Sequence, residues 1–216
     1  DFPSLAVTAD GALVAHWLVR SGPGTYAYDV HLARSTDGGT TWSEAVVPHR
    51  DGTETEHGFV SLLPTPDGDV LVLWLDGREY DGTEHDGEMT LRAARFGAGG
   101  VGDEVLLDAR TCDCCQTAAA LTAEGPVVLY RDRSAGEIRD IAITRLVDGA
   151  WTDPRPVHDD GWRIEGCPVN GPAVSADGRR LAVAWFTAAR DTARVLIAFS
   201  EDAGAGFADP VRVDDG

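Results

Sequence analysis

Three residues able to ligate a metal or carry redox chemistry recur in register along the chain: His57, Cys114 and Cys167. Each lies ten residues before the acidic residue of a short turn, Asp67 in TPDG, Glu124 in TAEG and Asp177 in SADG. A fourth such turn, Asp10 in TADG, precedes them, and the gaps between the four are 57, 57 and 53 residues. A fixed period of this length marks a repeat architecture, in which equivalent positions occupy equivalent places in successive units. Thiolate and imidazole make a soft donor set, suited to Cu(I) or Zn(II) and unsuited to calcium or magnesium. Cys115 stands beside Cys114, and Cys112 lies two residues outside the register with Asp113 between. The same four cysteines also fit a disulfide framework with three possible pairings, Cys112–Cys115 and Cys114–Cys167 among them. Free redox-active thiols are the third alternative. A disulfide gives no role to the imidazole in the same register.

The elements that must position these residues are short strands. The units span residues 1–54, 55–111, 112–164 and 165–216, and each reads as four strands. In the first unit these are 4–8, 13–19, 29–34 and 44–48. Runs such as VAHWLV and VLVLWL are apolar, β-branched and aromatic, and are bounded by Asp-Gly or Glu-Gly turns, a strong hairpin signal. No segment sustains helical periodicity. Trp17, Trp74, Tyr130 and Trp185 recur late in the second strand and are expected to pack the core. The chain is therefore all-β and long enough to bury a real core.

Composition narrows the partners. The net charge is −18, all 18 basic residues are Arg, and Lys is absent. Such a surface disfavours nucleic acid and anionic membranes. No stretch approaches the roughly 20 apolar residues of a membrane helix. The chain opens on Asp1 rather than Met, which is compatible with a removed leader.

The third-to-fourth strand turn carries a sharper mark. Ser35-Thr36-Asp37-Gly38-Gly39-Thr40-Thr41-Trp42 fits S-x-D-x-G-x-T-W, and the stretch from Ser200 through Asp202 and Gly204 to Phe207 keeps its Ser, Asp and Gly. A short Asp side chain accepts hydrogen bonds from the turn, Gly permits φ > 0, and the aromatic residue is expected to tuck beneath the sheet. These boxes resemble the Asp-box (BNR) repeat of the sialidase superfamily. The resemblance implies a β-propeller of four-stranded antiparallel blades, four of them present here and forming part of a six-bladed whole, with a closed four-bladed ring as the alternative. TCDCCQT and GCPVNGP are similar to words found in bacterial sialidase-like proteins of unsettled function. In such a propeller the first strand of each blade lines the axis, so His57, Cys114, Cys115 and Cys167, with Cys112 beside them, would converge there.

The same resemblance makes an Arg cluster a clamp for a substrate carboxylate. Arg20, Arg78, Arg133 and Arg190 follow the recurrent aromatics, Arg110 and Arg163 share a register, and Asp76 and Asp132 are candidate acids. Salt bridging with adjacent acids is the alternative use of these Arg residues. The F/Y-R-I-P element of sialidases is missing; Trp162-Arg163-Ile164-Glu165 shares only Arg-Ile. Three functions follow as expectations: a secreted or periplasmic propeller with a Cys/His copper or zinc site, an exo-α-sialidase-like glycoside hydrolase acting on an acidic sugar, or a non-catalytic propeller holding a glycan or peptide.

Overall fold

The computed structural model describes residues 2–80 and 87–215. The chain forms two compact units, Asp1–Ala109 and Arg110–Gly216. In the first unit β1 (Ser4–Val7), β2 (Leu13–Arg20) and β3 (Tyr28–Ser35) pair in sequence order as an antiparallel sheet. A second sheet runs in order through β4 (His57–Pro64), β5 (Val70–Asp76), β6 (Met89–Gly97) and β7 (Gly100–Val101), with β8 (Val105–Thr111) also pairing β6. In the second unit β9 (Ala118–Thr122), β10 (Gly125–Arg131), β11 (Ile141–Val147) and β12 (Ala150–Trp151) form one sheet, with β13 (Arg155–Pro156) also on β11. The last sheet is β14 (Ala173–Asp177), β15 (Arg180–Thr187), β16 (Arg194–Ser200) and β17 (Val211–Arg212). A 3-10 turn at Ala189–Asp191 is the one helical element among the described residues.

Each first hairpin closes where the acidic-Gly turns were expected. Gly11, Gly68 and Gly178 take φ of +82°, +89° and +60°, conformations that a side chain would disfavour. In the first two turns a threonine hydroxyl, of Thr8 or Thr65, donates to a backbone carbonyl four residues on, at 3.0 Å. The expected fourth strand of the first unit is reduced to one bridge, Leu32 to Val46. Pro48 has no N–H to continue the ladder, and the Val30 N–H is taken by the His49 side chain, at 3.2 Å to Nε2.

Among the described residues, an apolar cluster lies in each unit. Val14, Leu32, Val60, Val72, Trp74 and Phe96 are among the residues of the first. Val127, Leu129, Ile143, Leu181, Val183 and Trp185 belong to the second. Trp74, Tyr130 and Trp185 are buried as expected, whereas Trp17 is half-buried. Every residue of β5 is buried, so its last residue, Asp76, is carried into the interior by the strand itself.

Candidate functional site

The cysteine site of the second unit begins where β8 ends. The Cys112 N–H still bonds the Arg131 carbonyl at 3.0 Å, and the chain then turns through 113–114. This gathers three sulphurs: Cys112 Sγ lies 3.7 Å from Cys114 Sγ and 3.6 Å from Cys115 Sγ. Cys114, Cys167 and Asp113 form an overlapping trio whose ligand atoms all lie within 4.8 Å of one another. All four cysteines are free thiols; Cys112 and Cys115 are buried, Cys114 is half-buried and Cys167 is exposed. Gly171 brings the Cys167 segment against the turn, since a Cβ there would stand 2.0 Å from the Gln116 carbonyl oxygen.

The sulphurs share charge. The Cys114 and Cys115 thiols hydrogen-bond to Cys112 and, against the effect of burial and with help from Arg139, hold its thiol far below the ordinary range. In return Cys112 pushes the Cys114 and Cys115 thiols up. Arg139 Nη1 donates to Cys112 Sγ at 3.2 Å, a placement that favours the thiolate.

Arg139 also belongs to a second grouping. Its Nη2 reaches Glu137 Oε2 at 2.9 Å, while Arg133 Nη2 and Arg110 Nη2 reach Glu137 Oε1 at 3.0 and 3.3 Å. Three guanidiniums thus surround one carboxylate of the chain itself, and Glu137 holds φ at +58° to present it. Asp132 accepts the Arg133 N–H at 2.7 Å. Arg131 serves packing: it is buried, donates to the carbonyls of Asn170, Arg139 and Phe186, and lies over the Trp162 ring at 4.9 Å. Arg163 pairs with Glu165 at the surface and Arg190 is exposed.

In the first unit His57 has carboxylates for neighbours. It opens β4 opposite Asp76 at the end of β5, and the register shifts immediately after, between Gly58 and Ser61, an irregularity of the kind that re-aims a side chain. His57 Nδ1 donates to the Tyr28 carbonyl at 3.0 Å. Its Nε2 lies 3.3 Å from Asp51 Oδ2 and 3.6 Å from Asp76 Oδ1. The His49 ring stacks on His57 with centroids 3.8 Å apart, and its Nδ1 is 3.2 Å from the same Asp51 oxygen. Arg78 grips Asp76 through Nε at 2.8 Å and Nη2 at 2.6 Å, and reaches Glu104 and Asp51 at 2.8 and 3.3 Å. Arg78 and Arg133 are thus both salt-bridged, in separate units. Arg20 is bound to the Gly24 carbonyl and lies over Tyr28.

The Asp boxes are structural. Asp37 accepts from the Ser35 hydroxyl and from the Thr41 N–H and hydroxyl, at 2.9, 2.9 and 2.7 Å. These bonds, the Thr41 backbone first, hold its carboxyl down to about 2. Gly39 and Gly204 donate to the Ser35 and Ser200 hydroxyls, and Asp202 accepts from Ser200 and Gly206. Phe207 packs against the second apolar cluster as expected. Trp42 departs from expectation: it is 41% exposed and lines an open groove with Arg34, Val46, Phe96 and Gly100, because the loop beside it forms no fourth strand to cover it.

Sequence reading passed over His49, Asp51, Glu137 and Arg139. A signal for the first two was present. The word His49-Arg50-Asp51-Gly52 recurs 109 residues later as His158-Asp159-Asp160-Gly161. Both glycines take φ of +69°, and His158 Nδ1 lies 2.7 Å from Asp160 Oδ1.

Solved structures match the chain along nearly its whole length. A leech intramolecular trans-sialidase complexed with 2,7-anhydro-Neu5Ac aligns with a TM-score of 0.67 at 10% identity, over 99% of this chain and 51% of its own. The intramolecular trans-sialidase of Ruminococcus gnavus aligns with 0.66 at 10%, over 100% and 71%. A family PL25 ulvan lyase aligns with 0.58 at 12%, over 98% and 55%. The chain spans about half the length of the leech enzyme and the lyase. These likenesses show the fold, a sialidase-like β-propeller arrangement of antiparallel blades. No family model matches the chain, and no curated protein does.

Proposed function

We propose that this chain is part of a carbohydrate-active, sialidase-like propeller that binds a thiophilic metal, Zn(II) or Cu(I), through Cys112, Cys114, Cys115 and Cys167. The observation that carries this reading is the spacing of three sulphurs at 3.6 and 3.7 Å. Four thiolates around zinc at about 2.3 Å stand about 3.8 Å from one another. Arg139 supports the site by favouring the thiolate that a metal requires. If all four sulphurs bind, the ion is structural. If exposed Cys167 leaves, the open position makes the ion a Lewis acid facing solvent.

The test is elemental analysis of protein purified under reducing conditions, with thiol titration before and after chelation. One equivalent of zinc or copper, and thiols that appear on chelation, support the reading. Thiols that appear only on reduction, with no metal, overturn it.

A second reading has its own observation, the three guanidiniums around Glu137. An acidic sugar that displaces Glu137 would find a ready clamp for its carboxylate. Turnover of a fluorogenic sialoside by wild type, lost in Arg133→Ala, supports this. Rates unchanged by the substitution exclude Arg133 from the work.

A further inference from the structure

We infer that His57, Asp51 and Asp76 form a second cation site, for Zn(II) or a similar first-row divalent ion, with nitrogen and oxygen donors wholly within the first unit. His57 Nε2 is buried and makes no hydrogen bond. It faces Asp51 Oδ2 at 3.3 Å, an oxygen that also stands 3.2 Å from His49 Nδ1 and 3.3 Å from Arg78 Nη2. Buried polar atoms are nearly always partnered, so the unpaired imidazole nitrogen calls for an occupant.

The tautomer sharpens the point. A carbonyl only accepts, so the Tyr28 oxygen fixes the proton of a neutral His57 on Nδ1. Nε2 then turns a lone pair toward Asp51 Oδ2 and toward Asp76 Oδ1 at 3.6 Å. Three Lewis-basic atoms converge, mutually within 4.8 Å. Ligands bound to zinc at about 2.0–2.1 Å in tetrahedral geometry lie about 3.3–3.4 Å apart, close to both separations.

The surroundings resemble an outer shell around a metal. Asp51 Oδ1 accepts the Thr53 N–H at 2.9 Å, while Oδ2, the oxygen nearest His57, is steered by His49 Nδ1 and Arg78 Nη2. Trp74 Nε1 and Arg78 orient Asp76, and the Tyr28 carbonyl orients the imidazole. Such partners fix ligand direction in known sites. Charge agrees as well. With neutral imidazoles, the carboxylates of Asp29, Asp51, Asp76, Glu79 and Glu104 outnumber the guanidiniums of Arg78 and Arg92. A cation offsets part of that excess despite the nearby Arg78. The competing occupant is a proton on Nε2.

The experiment titrates the chelator-treated full chain with zinc chloride and cobalt chloride, beside His57→Gln, Asp51→Asn and Cys114→Ser. Wild type should bind two classes of Co(II). One shows thiolate charge transfer and is lost in Cys114→Ser. The other shows none, is lost in His57→Gln and weakens at least tenfold in Asp51→Asn. Equal stoichiometry in wild type and His57→Gln overturns the inference. Should His57→Gln fail to fold, nitrogen NMR of the wild-type imidazoles decides. Zinc should move the His57 Nε2 resonance, and an imidazolium signal persisting at saturating zinc overturns the site. Loss of the thiolate class alone counts against the cysteine reading and leaves this one standing.

Discussion

His57 and Asp76 face each other across the β4–β5 ladder, the first residue of one strand opposite the last of the other, with Nε2 and Oδ1 3.6 Å apart. Strand register alone therefore brings an imidazole and a carboxylate together in the interior. Asp76 is fully buried and also receives Arg78 and the Trp74 indole. Asp76→Asn leaves Arg78 without its main counter-charge. Removing one partner of a buried ion pair costs about 3–5 kcal/mol. Urea unfolding followed by Trp fluorescence should show that loss in the first unit, while thiol reactivity in the second stays as in wild type.

His16 sets an acid limit for the first unit. It is buried, with Nδ1 2.8 Å from the Ser4 hydroxyl, and burial pushes its pKa down to about 4. The unfolded chain, with an ordinary value near 6.5, binds the proton first. Stability is therefore full above about pH 6.5 and falls as pH drops toward 4, by about 3 kcal/mol at most. Asp51 and Asp76 do not share this window, because their carboxyls are held below the usual range. Urea midpoints from pH 7 to 4.5 should fall in wild type and flatten in His16→Leu.

The Asp-box serines invite a paired comparison. Ser35 and Ser200 are buried, and each accepts a glycine N–H while donating to the box aspartate. Ser→Ala at either position strands that N–H, at about 1–3 kcal/mol. A Cβ at Gly204 would stand 2.8 and 2.9 Å from the Ile143 and Leu181 side chains, whereas one at Gly39 would find its nearest neighbour, Leu13, at 3.5 Å, so the second box is the more tightly enclosed. Ser200→Ala should thus lower the unfolding midpoint more than Ser35→Ala, and neither should change metal stoichiometry.

The all-β class and the first hairpins were legible because Asp-Gly and Glu-Gly turns force φ > 0 locally and short apolar, β-branched and aromatic runs flank them. The cysteine cluster was legible because all but Cys167 lie within four residues, so one turn gathers them. His57 was found, but its company was not. Its partners Asp51 and Asp76 lie six residues before it and nineteen after it; the ladder to β5 brings Asp76 opposite, and the loop that turns at Gly52 carries Asp51. The repeat register pointed His57 toward the cysteines, while its imidazole is turned to local carboxylates. Glu137 and Arg139 escaped because their role depends on a positive-φ loop that no turn word announces.

Gly171 tests whether Cys167 belongs with the other thiols. Its missing Cβ would lie 2.0 Å from the Gln116 carbonyl oxygen, a contact with backbone that no side-chain rotation relieves. Gly171→Ala must therefore move the segment carrying Cys167 away from the turn carrying Cys112, Cys114 and Cys115. A shift of this size is large against the tolerance of a metal–sulphur bond, which is about 0.2 Å. If Cys167 is a ligand, Gly171→Ala and Cys167→Ser should weaken zinc binding by comparable factors of tenfold or more, measured by competition with a chromophoric chelator. Should Cys167→Ser bind zinc as tightly as wild type, the site is a three-sulphur one, and Gly171→Ala should then also leave the affinity unchanged.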